Sequence, residues 1–161
     1  DDIVGWEMYK STGSMIPYEV YKKTKGKKFD LKPKDVVFVK EGSYRIGSVA
    51  LVSPYDIEVL LNHHSLVFRV IKEDNEYGID PFYLLYLFSH NLTQRQLYNK
   101  IMIDTTLPNI GDRWKELYLP VSKNNSIAKK IKEKVKILFE EKWDSIEKLN
   151  ELKKEFGNLT T

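Results

Sequence analysis

The chain has 161 residues, of which 42% are hydrophobic and 12% aromatic, enough to build a core for one ordinary domain plus an appendage; an intrinsically disordered chain is excluded. It contains no cysteine, which rules out thiol catalysis, cysteine-ligated zinc and disulfides, and agrees with a reducing compartment. The net charge of +3 is too small to signal nucleic-acid binding by itself, so any such role must rest on local clustering.

In chain order, residues 1–20 mix aromatics, glycines and small polar residues without a clear period and read as irregular or short-strand structure. Lysines then cluster at Lys22, Lys23, Lys25, Lys27, Lys28, Lys32 and Lys34, interleaved with Tyr21 and Phe29, a pattern that predicts an exposed loop or hairpin. The β-branched and aromatic run Val36-Val37-Phe38-Val39 predicts a largely buried strand that stops at the glycine turn Glu41-Gly42-Ser43. Residues 46–53, closed by Pro54, predict a second strand paired with the first, and residues 65–71 a third, with Leu66, Phe68 and Val70 on one face. Asp80-Pro81 is a helix-start signal, because aspartate caps free backbone N–H groups and proline is tolerated in the first turn. Leu84, Leu87, Phe88, Leu92 and Leu97 follow at helical spacing to about Lys100, with Asn91-Leu92-Thr93 able to divide the segment into two helices.

Residues 110–119 lead to Pro120 as a strand or short connection. From Ser126 to about Phe156 there is no glycine or proline, and lysine, glutamate, isoleucine and leucine dominate, so a long helix is predicted. Val135, Leu138, Leu149, Leu152 and Phe156 occupy heptad-like positions; Lys142 and Ser145 interrupt that seam, while Trp143 and Ile146 shift it sideways. Such a helix calls for a partner helix, so self-association is expected. The fold class is α+β: a mixed, sheet-rich globular domain over residues 1–125, followed over 126–161 by a long spacer or dimerisation helix, suited to antiparallel coiled-coil packing, and a short tail.

The motifs that suggest catalysis fail on their spacing. Asp80-Pro81-Phe82-Tyr83 is near the Asp/Asn-Pro-Pro-aromatic motif of amino-methylating DNA methyltransferases, but its third position is wrong and no glycine-rich strand-loop-helix accompanies it to hold S-adenosylmethionine. A helix cap is the favoured role. Residues 42–48, GSYRIGS, have the glycine spacing of a phosphate-binding loop without its lysine, and a strand rather than a helix follows. Asp30-Leu31-Lys32 and Glu151-Leu152-Lys153 each match half of a nuclease core, yet one lies in the lysine-rich segment and the other in the helix, whereas two-metal chemistry needs carboxylates on adjacent strands. His63 and His64 are neighbours, so on a strand they point apart, and no nearby carboxylate pattern completes a metal site. No catalytic residue, metal or cofactor is expected. The apolar stretches are too short to span a membrane and no signal peptide opens the chain, which predicts a cytoplasmic protein without a membrane partner. A start at Asp1 rather than methionine suggests a piece of a longer protein.

The segment from Lys34 to Gly47, with an aspartate, an apolar strand, a glycine turn and a second strand, resembles the target-recognition domain of type I restriction-modification specificity subunits. Further resemblances follow in order: Asp80-Pro81-x-Tyr83-Leu84-x-Tyr86-Leu87 at a helix opening, Gln94-Arg95-Gln96 near that helix's end, Leu107-Pro108-Asn109-Ile110, and Leu117-Tyr118-Leu119-Pro120-Val121 before a long helix. They cover roughly residues 30–150. Ser122-Lys123-Asn124-Asn125 departs from the family's proline and glutamate-glutamine run. The resemblance implies a non-catalytic module that binds a specific double-stranded DNA sequence and directs a methyltransferase subunit, and in a full system a restriction subunit.

Under that reading Lys22, Lys23, Lys25, Lys27 and Lys28, with Lys40, are candidates to meet phosphates, and Ser43, Tyr44, Arg45, Gln94 and Arg95 to read bases, because arginine matches guanine edges and glutamine matches adenine edges. Two alternatives carry different functions: the C-terminal recognition region of a fused N6-adenine DNA methyltransferase, and a helical interaction adaptor with no DNA role.

Overall fold

The chain folds as an α+β unit in a computed structural model that describes residues 3–9, 15–24, 30–42, 45–103 and 107–158. The elements are β1 (Ile3–Val4), β2 (Glu7–Met8), α1 (Tyr18–Thr24), β3 (Val36–Val39), β4 (Val49–Leu51), β5 (Ser65–Phe68), α2 (Pro81–Ser89), α3 (Asn91–Tyr98), a 3-10 turn over Gly111–Glu116, and α4 (Asn125–Asn158). The main sheet is antiparallel and ordered β4–β3–β5. Val36 lies opposite Leu51 and Phe68, and Phe38 opposite Val49 and Leu66.

All four residues of β3 are buried, because both faces of the sheet are covered. Val36 and Phe38 point to a core with Val49, Leu51, α2 and α4; Val37 and Val39 point to a second cluster with Ile3, Leu31, Ala50 and Val52. A strand buried on both sides reads as an unbroken apolar run, as Val36–Val39 does. Leu66, Phe68 and Val70 join the first core together, as their alternation predicts, while Val67 faces the second. Phe38, Phe68 and Phe88 meet in tilted and edge-on pairs with centroids 4.9–6.1 Å apart.

The entrance to β3 is held by Asp35, which is 1% exposed. Arg69 grips its carboxylate with a two-pronged fork, Nε to Oδ1 and Nη2 to Oδ2, both 2.7 Å, and Nη2 also donates to the Asp30 carbonyl. The Lys32 backbone N–H donates to Asp35 Oδ2 at 2.8 Å. A charge so deeply buried needs several charge-assisted partners, and here it has three.

Asp80 caps α2 by accepting the Tyr83 backbone N–H at 2.8 Å, and its other oxygen lies 3.2 Å from Lys132 Nζ on α4. The expected division of the helical segment falls at His90, whose extended backbone ends α2 and whose Nδ1 accepts the Leu92 N–H that opens α3. One local expectation changes. Residues 18–24 form α1 rather than a loop, because Tyr21 is buried, the Pro17 carbonyl accepts the N–H groups of Val20 and Tyr21, and Glu19 and Lys22–Lys23 suit the two ends of the helix dipole. Of the strand or short connection expected over 110–119, the structure has the connection, a 3-10 turn over Gly111–Glu116 entered through Gly111 at φ +50°.

Helix α4 has 34 residues and is roughly 50 Å long. Its packing corrects one expectation: Val135, assigned to a partner helix, is buried in the chain's own core together with Phe139. The stripe Ile131, Val135, Phe139, Trp143 runs along one row of residues four apart, a ridge by which helices commonly pack. Phe139 meets Phe82, Trp143 and Trp6 with ring centroids 5.8–6.4 Å apart. Leu138, Leu149, Leu152 and Phe156 are each about half exposed or more, and every residue from Glu147 to Gly157 is exposed. Phe139→Ala is expected to lower unfolding stability by about 3–4 kcal/mol in urea titrations, whereas Leu152→Ala changes it by less than about 0.5 kcal/mol at low protein concentration.

Candidate nucleic-acid interface

The turn after β3 is seated on α3 by one side chain. Gln94 Nε2 donates to the carbonyls of Gly47 at 3.0 Å and Phe88 at 2.8 Å. Thr93, fully buried, donates its hydroxyl to the Leu87 carbonyl at 2.7 Å. Together they satisfy carbonyls at the C-terminus of α2, which lack partners within their own helix. Gln94 therefore does not serve as the adenine reader that its side-chain chemistry suggests, since both hydrogens of its amide are taken by backbone oxygens. Its role is to bind the turn to the helices.

Gly47 sits at φ +87°, and a Cβ there would lie 2.7 Å from Leu97 Cδ1 and 3.0 Å from Gln94 Oε1. This position needs glycine twice over, for backbone conformation and for space. It also explains why β4 starts only at Val49 rather than at Ile46. The same end of the sheet is closed by Gly42 N–H to the Pro108 carbonyl and Ile110 N–H to the Lys40 carbonyl.

Arg45 is half-buried in the seated turn, and Arg95 is exposed on α3 next to the Gln94 clamp. The segments bearing the two candidate arginines are thus one hydrogen-bonded unit. Beside them, Tyr98 and Tyr118 are 75% and 83% exposed. The segment carrying Tyr118 is held by a two-way bond with Gln96: Nε2 donates to the Tyr118 carbonyl and Oε1 accepts the Tyr118 N–H. Leu92, Arg95, Asn99 and Tyr118 line a shallow cleft between α3 and this segment. Sequence reasoning did not single out Tyr98 and Tyr118 as exposed groups, because Tyr98 follows the apolar Leu97 in a helical segment and Tyr118 sits between Leu117 and Leu119, settings that suggest core.

The remaining candidates separate. Lys22 and Lys23 are exposed on α1, whose Tyr21 hydroxyl reaches the Ile57 carbonyl beside the second cluster, away from the α2–α4 core. Lys22 Nζ lies 4.7 Å above the Tyr18 ring. Lys40 is half-buried at the end of β3. Lys25, Lys27, Lys28, Ser43 and Tyr44 lie outside the described residues. Lys100 and Lys115, near α3, are paired with Glu116 and Asp112 at 2.7 and 2.8 Å, and each lysine holds its partner carboxyl below the usual range, first through the direct hydrogen bond.

The motif fragments fall into structural places. Asp80 is the helix cap described above, and the Tyr83 hydroxyl accepts the Ser122 N–H at 3.1 Å. Asp30 and Lys32 contribute backbone atoms to the Asp35–Arg69 clasp, while Glu151 and Lys153 are exposed on α4. No helix among the described residues is long and apolar enough to cross a membrane. No family model matches the chain, and no curated protein matches it either.

Gly47→Ala is expected to cost about 2–4 kcal/mol through left-handed strain and overpacking against Leu97 and Gln94, measured as a fall in the urea midpoint.

Proposed function

We propose that the chain is a non-catalytic DNA target-recognition module of the kind found in type I restriction-modification specificity subunits. The observation that carries this reading is the Gln94 clamp, which makes the Arg45 turn and the Arg95 helix one preorganised surface. Base discrimination needs forked donors held in fixed register, and a short helix with an exposed arginine is of a size the major groove admits. The exposed Tyr118 adds a planar group to the cleft beside Arg95, and Tyr98 is a second exposed ring on α3. Lysines on α1 supply sequence-independent phosphate attraction from a separate element.

The second stripe of α4 supports the other half of the role. Leu138, Leu149, Leu152 and Phe156 are the heptad positions left over once the domain-facing stripe is filled, and they suit a second long helix, which in this architecture sets the spacing of two recognition domains. Methyltransferase and restriction subunits are the partners this arrangement would direct.

Selection of bound duplexes from a random pool tests the proposal. A short enriched half-site with a steep negative salt dependence is expected; no enrichment favours a helical adaptor instead. On the selected duplex, Arg45→Ala and Arg95→Ala each cost about 1–3 kcal/mol and relax preference at single positions, whereas Lys22→Ala with Lys23→Ala weakens all duplexes alike and shallows the salt slope by about 2. Sedimentation is expected to show concentration-dependent self-association that Leu149→Glu with Leu152→Glu abolishes; a monomer at every concentration removes the spacer role.

A further inference from the structure

Two of the three histidines of the chain, His63 and His64, meet Glu41 across the end of the sheet. They lie in the turn before β5 rather than on a strand, so the alternation that would send neighbouring side chains to opposite faces does not apply. Their ring centroids are 3.8 Å apart. Glu41 arrives from the end of β3, where the Lys40 N–H donates to the His64 carbonyl at 2.9 Å and fixes the two segments side by side. Ligand atoms of all three residues lie within 4.8 Å of one another.

His64 Nδ1 is shut off from solvent, with no aligned hydrogen-bond partner among the described residues. It nevertheless faces Glu41 Oε2 at 3.0 Å. The imidazole beside it holds the Glu41 carboxyl below the ordinary carboxylate range, against an opposing effect of burial. A nitrogen and a carboxylate oxygen at that separation, each about 2.0 Å from a shared ion, subtend an angle of about 95°, and a few tenths of an ångström of relaxation reaches the tetrahedral value. His63 is exposed, so its ring has room to turn onto the same ion.

We propose that Glu41, His63 and His64 form a three-ligand site for a borderline divalent cation of the zinc type, which staples the end of β3 to the loop that opens β5. Two imidazoles and one carboxylate are a donor set that suits zinc, cobalt or nickel, and calcium and magnesium poorly. Three protein ligands leave the fourth position to water. None of the three ligands is among the residues assigned to DNA contact.

Titration of the full chain, free of any polyhistidine tag, with zinc chloride by calorimetry and with cobalt chloride by visible absorption tests the site. One ion per chain, a dissociation constant on the order of 10 μM or tighter, and a tetrahedral cobalt spectrum are expected. Saturating zinc should raise the melting midpoint by about 8 °C at about a hundredfold excess over the dissociation constant. His64→Ala and Glu41→Gln should weaken binding by roughly tenfold or more and abolish the midpoint shift, with far-ultraviolet circular dichroism confirming that each variant is folded. His90→Asn, which removes the third histidine while keeping a helix-capping side chain, should leave binding unchanged. Binding weaker than millimolar, equal binding by wild type and folded His64→Ala or Glu41→Gln, or loss of binding in His90→Asn would overturn the proposal.

Discussion

The burial of β3 on both faces is the constraint from which the rest of the molecule follows. Four apolar residues can be hidden on both sides only if two separate layers cover them, and the chain supplies these from different places: α2 and α4 over Val36 and Phe38, the N-terminal hairpin and the 57–61 segment over Val37 and Val39. Because the strand is short, its ends need polar closure. Asp35 and Arg69 provide it at the entrance, and the backbone bonds of Lys40 and Gly42 at the exit. The exit is the end where Arg45, α3 and the Glu41–histidine cluster gather, so the candidate surfaces stand on the most buried element of the fold.

Helix α4 carries two sets of apolar side chains, one buried in the domain core and one exposed. Its stripe through Val135 and Phe139 belongs to the domain core, which fixes the base of the helix on the domain instead of leaving it as a hinged appendage. The four-residue row and the 3.5-residue seam wind differently around the helix, so the two patterns part toward the C-terminal end. There Leu149, Leu152 and Phe156 stand clear of the domain. A rigid link between core and seam matters to the proposed role, because a spacer helix sets a distance only if its base does not swivel.

Gln94 and Asp80 illustrate how polar groups that resemble functional ones serve the architecture. Each is placed where helix termini leave backbone groups without partners, and each satisfies that need while reaching a second element: Gln94 the Gly47 turn, Asp80 the Lys132 ammonium. A side chain whose hydrogen-bonding capacity is filled in this way holds other residues in place instead of meeting a ligand itself.

The α+β class, the three strands of the sheet, the Asp80 cap and the long helix were legible in the amino-acid sequence, because each depends on local periodicity, β-branched runs or capping chemistry within a few residues. The Leu66, Phe68, Val70 face was legible for the same reason. What only the tertiary structure decided are matters of long-range contact: that Val135 turns inward, that Gln94 closes on Gly47, 47 residues away, and that Asp35 is gripped by Arg69, 34 residues away. It also decided that Glu41 meets His63 and His64. None of these pairings leaves a periodic trace, since it is the packing of the two layers on β3, rather than any local preference, that brings the partners within hydrogen-bonding distance.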